Sequence, residues 1–158
     1  MCIFKQLHFL CIHKNISLAI AESCTAGLLA TKIVSVSGAS AFFKGGIVSY
    51  QNNIKINVLG VSKSLIKDKS EVCYEVVEQM AENVRNKFSS DFSLSTSGYA
   101  GPNGGTEENP VGTVFIAVSS KEKTISKRLV FKGDRESVMI QAVDKAAELL
   151  VDELKNQK

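Results

Sequence analysis

The chain has 158 residues, 44% of them hydrophobic and 22% charged, with a formal net charge of +3. These values fit one globular domain over residues 1–158 with a sizeable core, and the scattered Lys and Arg, with no basic stripe between aromatics, argue against nucleic-acid binding. No apolar run is long enough to span a membrane, and Lys5, Gln6 and His8 break up the N-terminal stretch, so a cytoplasmic protein without a signal peptide is expected.

Phe4, Leu7, Leu10 and Cys11 fall on one face of a short N-terminal helix. Cys2, His8, Cys11 and His13 are too loosely spaced for a structural zinc site, and no metal is expected there. The four cysteines are likewise too dispersed to form a disulfide framework. Ile16 to Ala21 is a short apolar run that reads as a buried strand. Glu22-Ser-Cys-Thr25 follows, then helical spacing from Gly27 to Val36. Ser23 or Thr25 is therefore expected at a helix start just past the C-terminal end of a strand, where α/β sheets bind ligands. Either hydroxyl can also serve simply as an N-cap.

Phe42 to Tyr50 reads as a second strand, whose early glycines imply a bulge or a close backbone approach. Asn52-Asn53 offers a cap for a short helix from Ile54 to Leu59, closed by Gly60. Lys55 lies near the start of that helix, against its dipole. Held inward, its amine is favoured in the neutral form. Val72 to Phe88 is an amphipathic helix. Asp91 to Ser97, Gly112 to Ser119 and Thr124 to Phe131 are strands, the last two a hairpin across Lys121-Glu-Lys123. Asp134 caps a final helix with an apolar stripe through Met139, Val143, Ala146, Leu149, Leu150 and Leu154. Arg135 puts positive charge at the positive end of that helix. It is either solvated or paired with the helix N-terminus around an anion. The order of elements predicts an α/β sandwich, a mixed, mostly parallel sheet with helices on both faces.

Between the third and fourth strands lies Ser97 to Thr113, with five of the eleven glycines and both prolines. A run of this composition continues neither helix nor central strand, and is expected to be a shaped anion- or substrate-binding loop. Neither a phosphate-loop motif nor a dinucleotide glycine spacing is present. The two histidines stand apart from every polar cluster, which disfavours a Ser-His-Asp triad. Ser23, Tyr50, Ser97 and Thr106 remain as hydroxyls, beside Lys55 and Arg135. Without histidine, a serine nucleophile needs a lysine or tyrosine base. Backbone N–H groups of the helix after Ser23, or of the glycine-rich loop, are the candidate oxyanion donors. The set permits acyl transfer without requiring it.

Four stretches together resemble the CinA C-terminal domain family, the nicotinamide mononucleotide deamidases. They are Ala21-Glu-Ser-Cys-Thr-Ala-Gly27, Gly45-Gly-Ile-Val-Ser-Tyr50 with Asn52 and Lys55, the whole of Ser97 to Thr113, and Gly133-Asp-Arg135. The resemblance runs from about Ile16 to Leu154. It implies hydrolysis of the carboxamide of nicotinamide mononucleotide to nicotinic acid mononucleotide and ammonia, with no metal or cofactor. It also implies Ser23 as nucleophile, with Lys55 and Tyr50 assisting. Glu22, Thr25, Ser97, Gly101, Gly104, Gly105, Thr106 and Arg135 are implied to hold the substrate. A stand-alone form and a homodimer or higher homo-oligomer are expected by analogy. Ala26, where the family has glycine, Cys73, where many members have serine, and Tyr99, in place of a smaller aliphatic residue, depart from the pattern. The alternative is a nucleotide-binding or competence-linked module without catalysis, which would have no use for a serine–lysine pair.

Overall fold

Residues Leu18–Glu22 form β1, and all five are buried. A strand with no solvent-facing side needs cover on both faces and neighbours on both edges. In the computed structural model, which describes residues 1–157, β1 has both. Its edge partners are β2 (Phe43–Val48) and β3 (Phe92–Gly98), both parallel to it. β4 (Thr113–Ser120) pairs antiparallel with β3, and β5 (Thr124–Val130) antiparallel with β4. The order β2-β1-β3-β4-β5 is a mixed sheet in which β4 alone runs against the rest.

The pleat divides the core. Leu18 and Ile20 of β1, Phe92 and Leu94 of β3 and Val114, Ile116 and Val118 of β4 face one apolar cluster. Helices α1 (Ile3–His13), α2 (Leu28–Val34) and α6 (Arg135–Asn156) supply the other side of that cluster. Ala19 and Ala21 point the other way, toward Val76, Met80 and Val84 of α5 (Tyr74–Phe88). There β3 presents Ser93 and Ser95, whose hydroxyls donate to the carbonyls of Ala81 and Val77, each at 2.6 Å. Two buried polar groups are thus satisfied by the helix that covers them.

Two shorter helices, α3 (Asn52–Asn57) and α4 (Lys63–Lys69), connect β2 to α5. The glycines of β2 do what their position implied. The register slips by one residue between Leu18–Phe43 and Ala19–Gly45, and a Cβ on Gly46 would stand 2.4 Å from Ile20 Cγ1. Helix α4 is an addition to the sequence reading, as is a single 3-10 turn at Ala39–Ala41. On α1, His8 is turned into the core and Leu10 is only partly covered, because His8 Nε2 meets the Ile33 carbonyl at 2.7 Å.

The chain leaves β1 toward β2 and later enters β3 on the opposite side of β1. The strand order therefore reverses at β1. Crevices at the C-terminal ends of parallel strands beside such a reversal are where open α/β sheets bind ligands.

Candidate active site

Three chain segments leave the sheet at that end. Ser23 and Cys24 follow β1, Tyr50 follows β2, and Gly98 to Ala100 close β3. They line a cavity of about 240 Å³ together with Lys55 and Arg135. Larger clefts lie elsewhere, of about 390 Å³ near the β4–β5 turn and about 450 Å³ beside Tyr74. Both lysines that line them are held in ion pairs, Lys123 with Glu153 in the first and Lys69 with Glu75 in the second, and Arg128 donates to Asn109 Oδ1. The cavity at the strand ends joins Lys55, the one buried lysine among the described residues, to a serine.

Ser23 is buried, and its backbone is fixed on both sides. Its N–H donates to Thr96 O at 3.0 Å and its carbonyl accepts from the Ala26 N–H at 3.1 Å. It is not a helix cap: α2 begins at Leu28, and Gly27 at φ 97° is its N-cap. Ala26 precedes it at φ 45°, left-handed backbone that favours glycine, which is why this chain's alanine stands out there. Capping falls to Glu22. This buried carboxylate accepts from the Thr25 hydroxyl at 2.6 Å, the Leu29 N–H at 2.8 Å and the Ala30 N–H at 3.2 Å. Thr25 spends its one proton on Glu22, so Thr96 must donate to Thr25 across their 2.7 Å contact. Glu22 and Thr25 are therefore engaged beneath the site and do not line the cavity. The same bonds occupy the N–H groups of Leu29 and Ala30 in the first turn of α2.

Lys55 is only 1% exposed. Its Nζ donates to the backbone carbonyl of Tyr50 at 3.2 Å, which closes the turn between β2 and α3. Burial lowers its affinity for a proton below that of an ordinary lysine, while Glu71 and Cys24 pull in the opposite direction. Burial pushes the Cys24 thiol up to about 12, so it stands in the cavity wall as a neutral group. The Tyr50 phenol, expected beside Lys55, is held elsewhere. It accepts from Arg135 Nη2 at 2.8 Å, and Arg135 Nη1 donates to Gly101 O at 2.6 Å. Arg135 is thus fixed by two hydrogen bonds, with the rest of its guanidinium open to solvent. It ties the segment after β2 to the glycine-rich loop from the first turn of α6, behind the cap that Asp134 forms with the Ser137 N–H.

The loop is drawn together at its base, where Gly112 N–H donates to Tyr99 O at 2.7 Å and Tyr99 N–H to Thr113 O at 2.8 Å. Ser97 and the Gly98–Ala100 segment reach the cavity, as does Asn103. Gly101 is present through its carbonyl on Arg135. Gly104, Gly105 and Thr106 do not line the cavity. Thr106 makes a local turn with Asn109, accepting its N–H at 2.9 Å, and Gly105 packs so closely that a Cβ would stand 2.7 Å from Val111 N. Their place is in the shape of the loop. Glu71, Asn103, Cys24 and Tyr99 line the cavity without having been singled out as site residues from the sequence. Glu71 stands in an irregular link between two helices, where no spacing marks it.

Among the described residues, no group of three or more His, Cys, Asp or Glu side chains could hold a metal ion, and no helix is long and apolar enough to cross a membrane.

The sequence profile of the CinA C-terminal domain matches residues 3–154. A Thermoanaerobacter sp. (strain X514) protein named for competence-damage induction is 47% identical over 140 residues, 88% of this chain and 34% of that one. A CinA-like protein of Flavobacterium psychrophilum is 43% identical over 141 residues, 89% of this chain and 34% of its own length. The chain therefore spans about a third of the length of these curated relatives. Among solved structures, a competence-damaged protein (CinA) superfamily protein from Klebsiella pneumoniae 700603 superposes with a TM-score of 0.95 at 32% identity. That match covers 98% of this chain and 97% of the other.

Proposed function

We propose that this chain, which belongs to the CinA C-terminal domain family, is an amidohydrolase that hydrolyses the carboxamide of nicotinamide mononucleotide. The observation that carries the reading is a buried lysine and a serine in the wall of one cavity at the strand ends. A cavity that only bound a nucleotide would gain nothing from burying an amine, which costs solvation whenever it is charged.

In this reading neutral Lys55 takes the proton of Ser23 Oγ as the oxygen attacks the carboxamide carbon. The oxyanion of the tetrahedral intermediate is met by backbone N–H groups of the glycine-rich loop. Lys55 then passes its proton to the departing nitrogen, the C–N bond breaks, and ammonia leaves an ester on Ser23. Water, activated by Lys55 in its neutral form, attacks that ester. Nicotinic acid mononucleotide is released and Ser23 regains its proton. Arg135 supplies the charge for the substrate phosphate, and its bonds to Tyr50 and Gly101 fix where that charge stands.

The test is a side-by-side assay of ammonia release from the mononucleotide, free nicotinamide and the dinucleotide. Turnover of the mononucleotide well above the other two is expected. Binding of the mononucleotide by calorimetry with no ammonia after hours would replace this reading with that of a non-catalytic module.

A further inference from the structure

Glu71 is the one carboxylate in the lining of the cavity, and the backbone that brings it there is strained. Ser70, at the C-terminal end of α4, has φ 96° and ψ 157°, a region that only glycine occupies freely. A serine persists in such a conformation only when its surroundings fix it. Here its N–H donates to Ile66 O at 2.9 Å, its hydroxyl accepts from the Val72 N–H at 3.2 Å, and its carbonyl faces Cys73 Sγ at 3.4 Å. The same hydroxyl donates to Glu71 Oε2 at 3.3 Å. From the sheet, the Ser97 hydroxyl donates to the Glu71 carbonyl at 2.9 Å. Glu71 is thus held from α4 on one side and from the end of β3 on the other.

The remaining groups that face Lys55 do not carry negative charge. Cys24 is a neutral thiol, the Tyr50 phenol is taken up by Arg135, and Arg135 is itself a cation. Glu22 lies below, its carboxylate bonded to Thr25 and the start of α2.

We propose that Glu71, delivered into the cavity by the strained bend at Ser70, is a positioning residue for Lys55, the counter-charge against which its amine gains and releases a proton. This rests on the reading of Lys55 as the base. Each time the amine takes the proton of Ser23, an ammonium is created inside a buried site. A carboxylate in the same wall stabilises that ammonium and keeps the proton affinity from falling too far to accept it. Burial acting without Glu71 would lower that proton affinity further.

The experiment is a pH titration of the Lys55 side chain by NMR in protein carrying 13Cε-labelled lysine, the resonance identified by its loss in Lys55→Met. In Glu71→Gln the Lys55 midpoint should fall by roughly one pH unit, and in Glu71→Asp by less than half of that. The rising limb of kcat/KM on nicotinamide mononucleotide should move to lower pH by the same interval. An unmoved midpoint in a Glu71→Gln protein with an otherwise native spectrum overturns the proposal. So does a pH-independent loss of activity without a change in the midpoint. If no nucleotide yields ammonia yet the midpoint falls, the charge relation stands and the amidohydrolase reading fails.

Discussion

Replacing Glu22 by Gln separates a structural carboxylate from a substrate ligand. The new amide oxygen can keep the bonds to the Thr25 hydroxyl and the Leu29 N–H. Its NH2 group then meets the Ala30 N–H, donor against donor, where the carboxylate accepted at 3.2 Å. One charge-assisted bond is lost, worth about 1.5–3 kcal/mol net, and with it the favourable charge at a helix N-terminus, about 0.3–1 kcal/mol. Together these come to about 2–4 kcal/mol of stability, which at this chain length lowers Tm by roughly 4–16 °C. Thermal and urea unfolding followed by circular dichroism measure the loss, and KM for the mononucleotide should change little, since Glu22 does not line the cavity. If the Glu22→Gln protein unfolds within about 2 °C of the parent while KM rises about tenfold, Glu22 contacts the substrate and the capping account is wrong.

Three further outcomes follow from the same geometry. Lys55→Met should abolish ammonia release yet raise stability, because a buried amine whose proton affinity is lowered in the folded state opposes folding. The sign with pH is fixed: the unfolded chain holds that proton up to the ordinary lysine range, so the parent gains stability as pH rises, and the advantage of the Met variant shrinks from acid toward alkaline pH in parallel urea titrations. Tyr50→Phe removes the acceptor of Arg135 Nη2 rather than a partner of Lys55, so KM should rise by about tenfold, the worth of one charged hydrogen bond, with kcat less affected; an equal fall in kcat would restore Tyr50 to the chemistry. Ala26→Gly relieves a left-handed alanine and should stabilise the protein by about 1 kcal/mol, read as a shift in the urea midpoint.

Much of the fold could be read from the chain because period and punctuation agree: the unbroken apolar run of β1, the 3.6-residue stripe of α5 and the Asp134 cap of α6 all name their elements. Helix α4 escaped because Lys63–Lys69 carries four charged residues and buries none of its side chains fully; only Ser62, which accepts from the Leu65 N–H at 3.2 Å, marks it. The site divides in the same manner. Ser23, Lys55, Ser97 and Arg135 converge on one cavity, as residues at strand ends and helix starts do in this architecture. Glu22 and Thr25 lie beside Ser23 in sequence, yet alternation along β1 and the following turn direct them beneath α2. Gly104, Gly105 and Thr106 shape a loop whose other part meets the cavity. Glu71 depends on a backbone conformation at Ser70 that residue identity does not signal, since serine there is the exception.

The central claim is that Ser23 becomes covalently bonded to the substrate carbonyl. Acid quenching during turnover of nicotinamide mononucleotide, followed by peptide mass spectrometry, tests it most directly. The account predicts a nicotinate-mononucleotide ester on the peptide that contains Ser23, absent from a Ser23→Ala protein that also releases no ammonia. Near-normal turnover by Ser23→Ala, or an ester mapped to another residue, would contradict it.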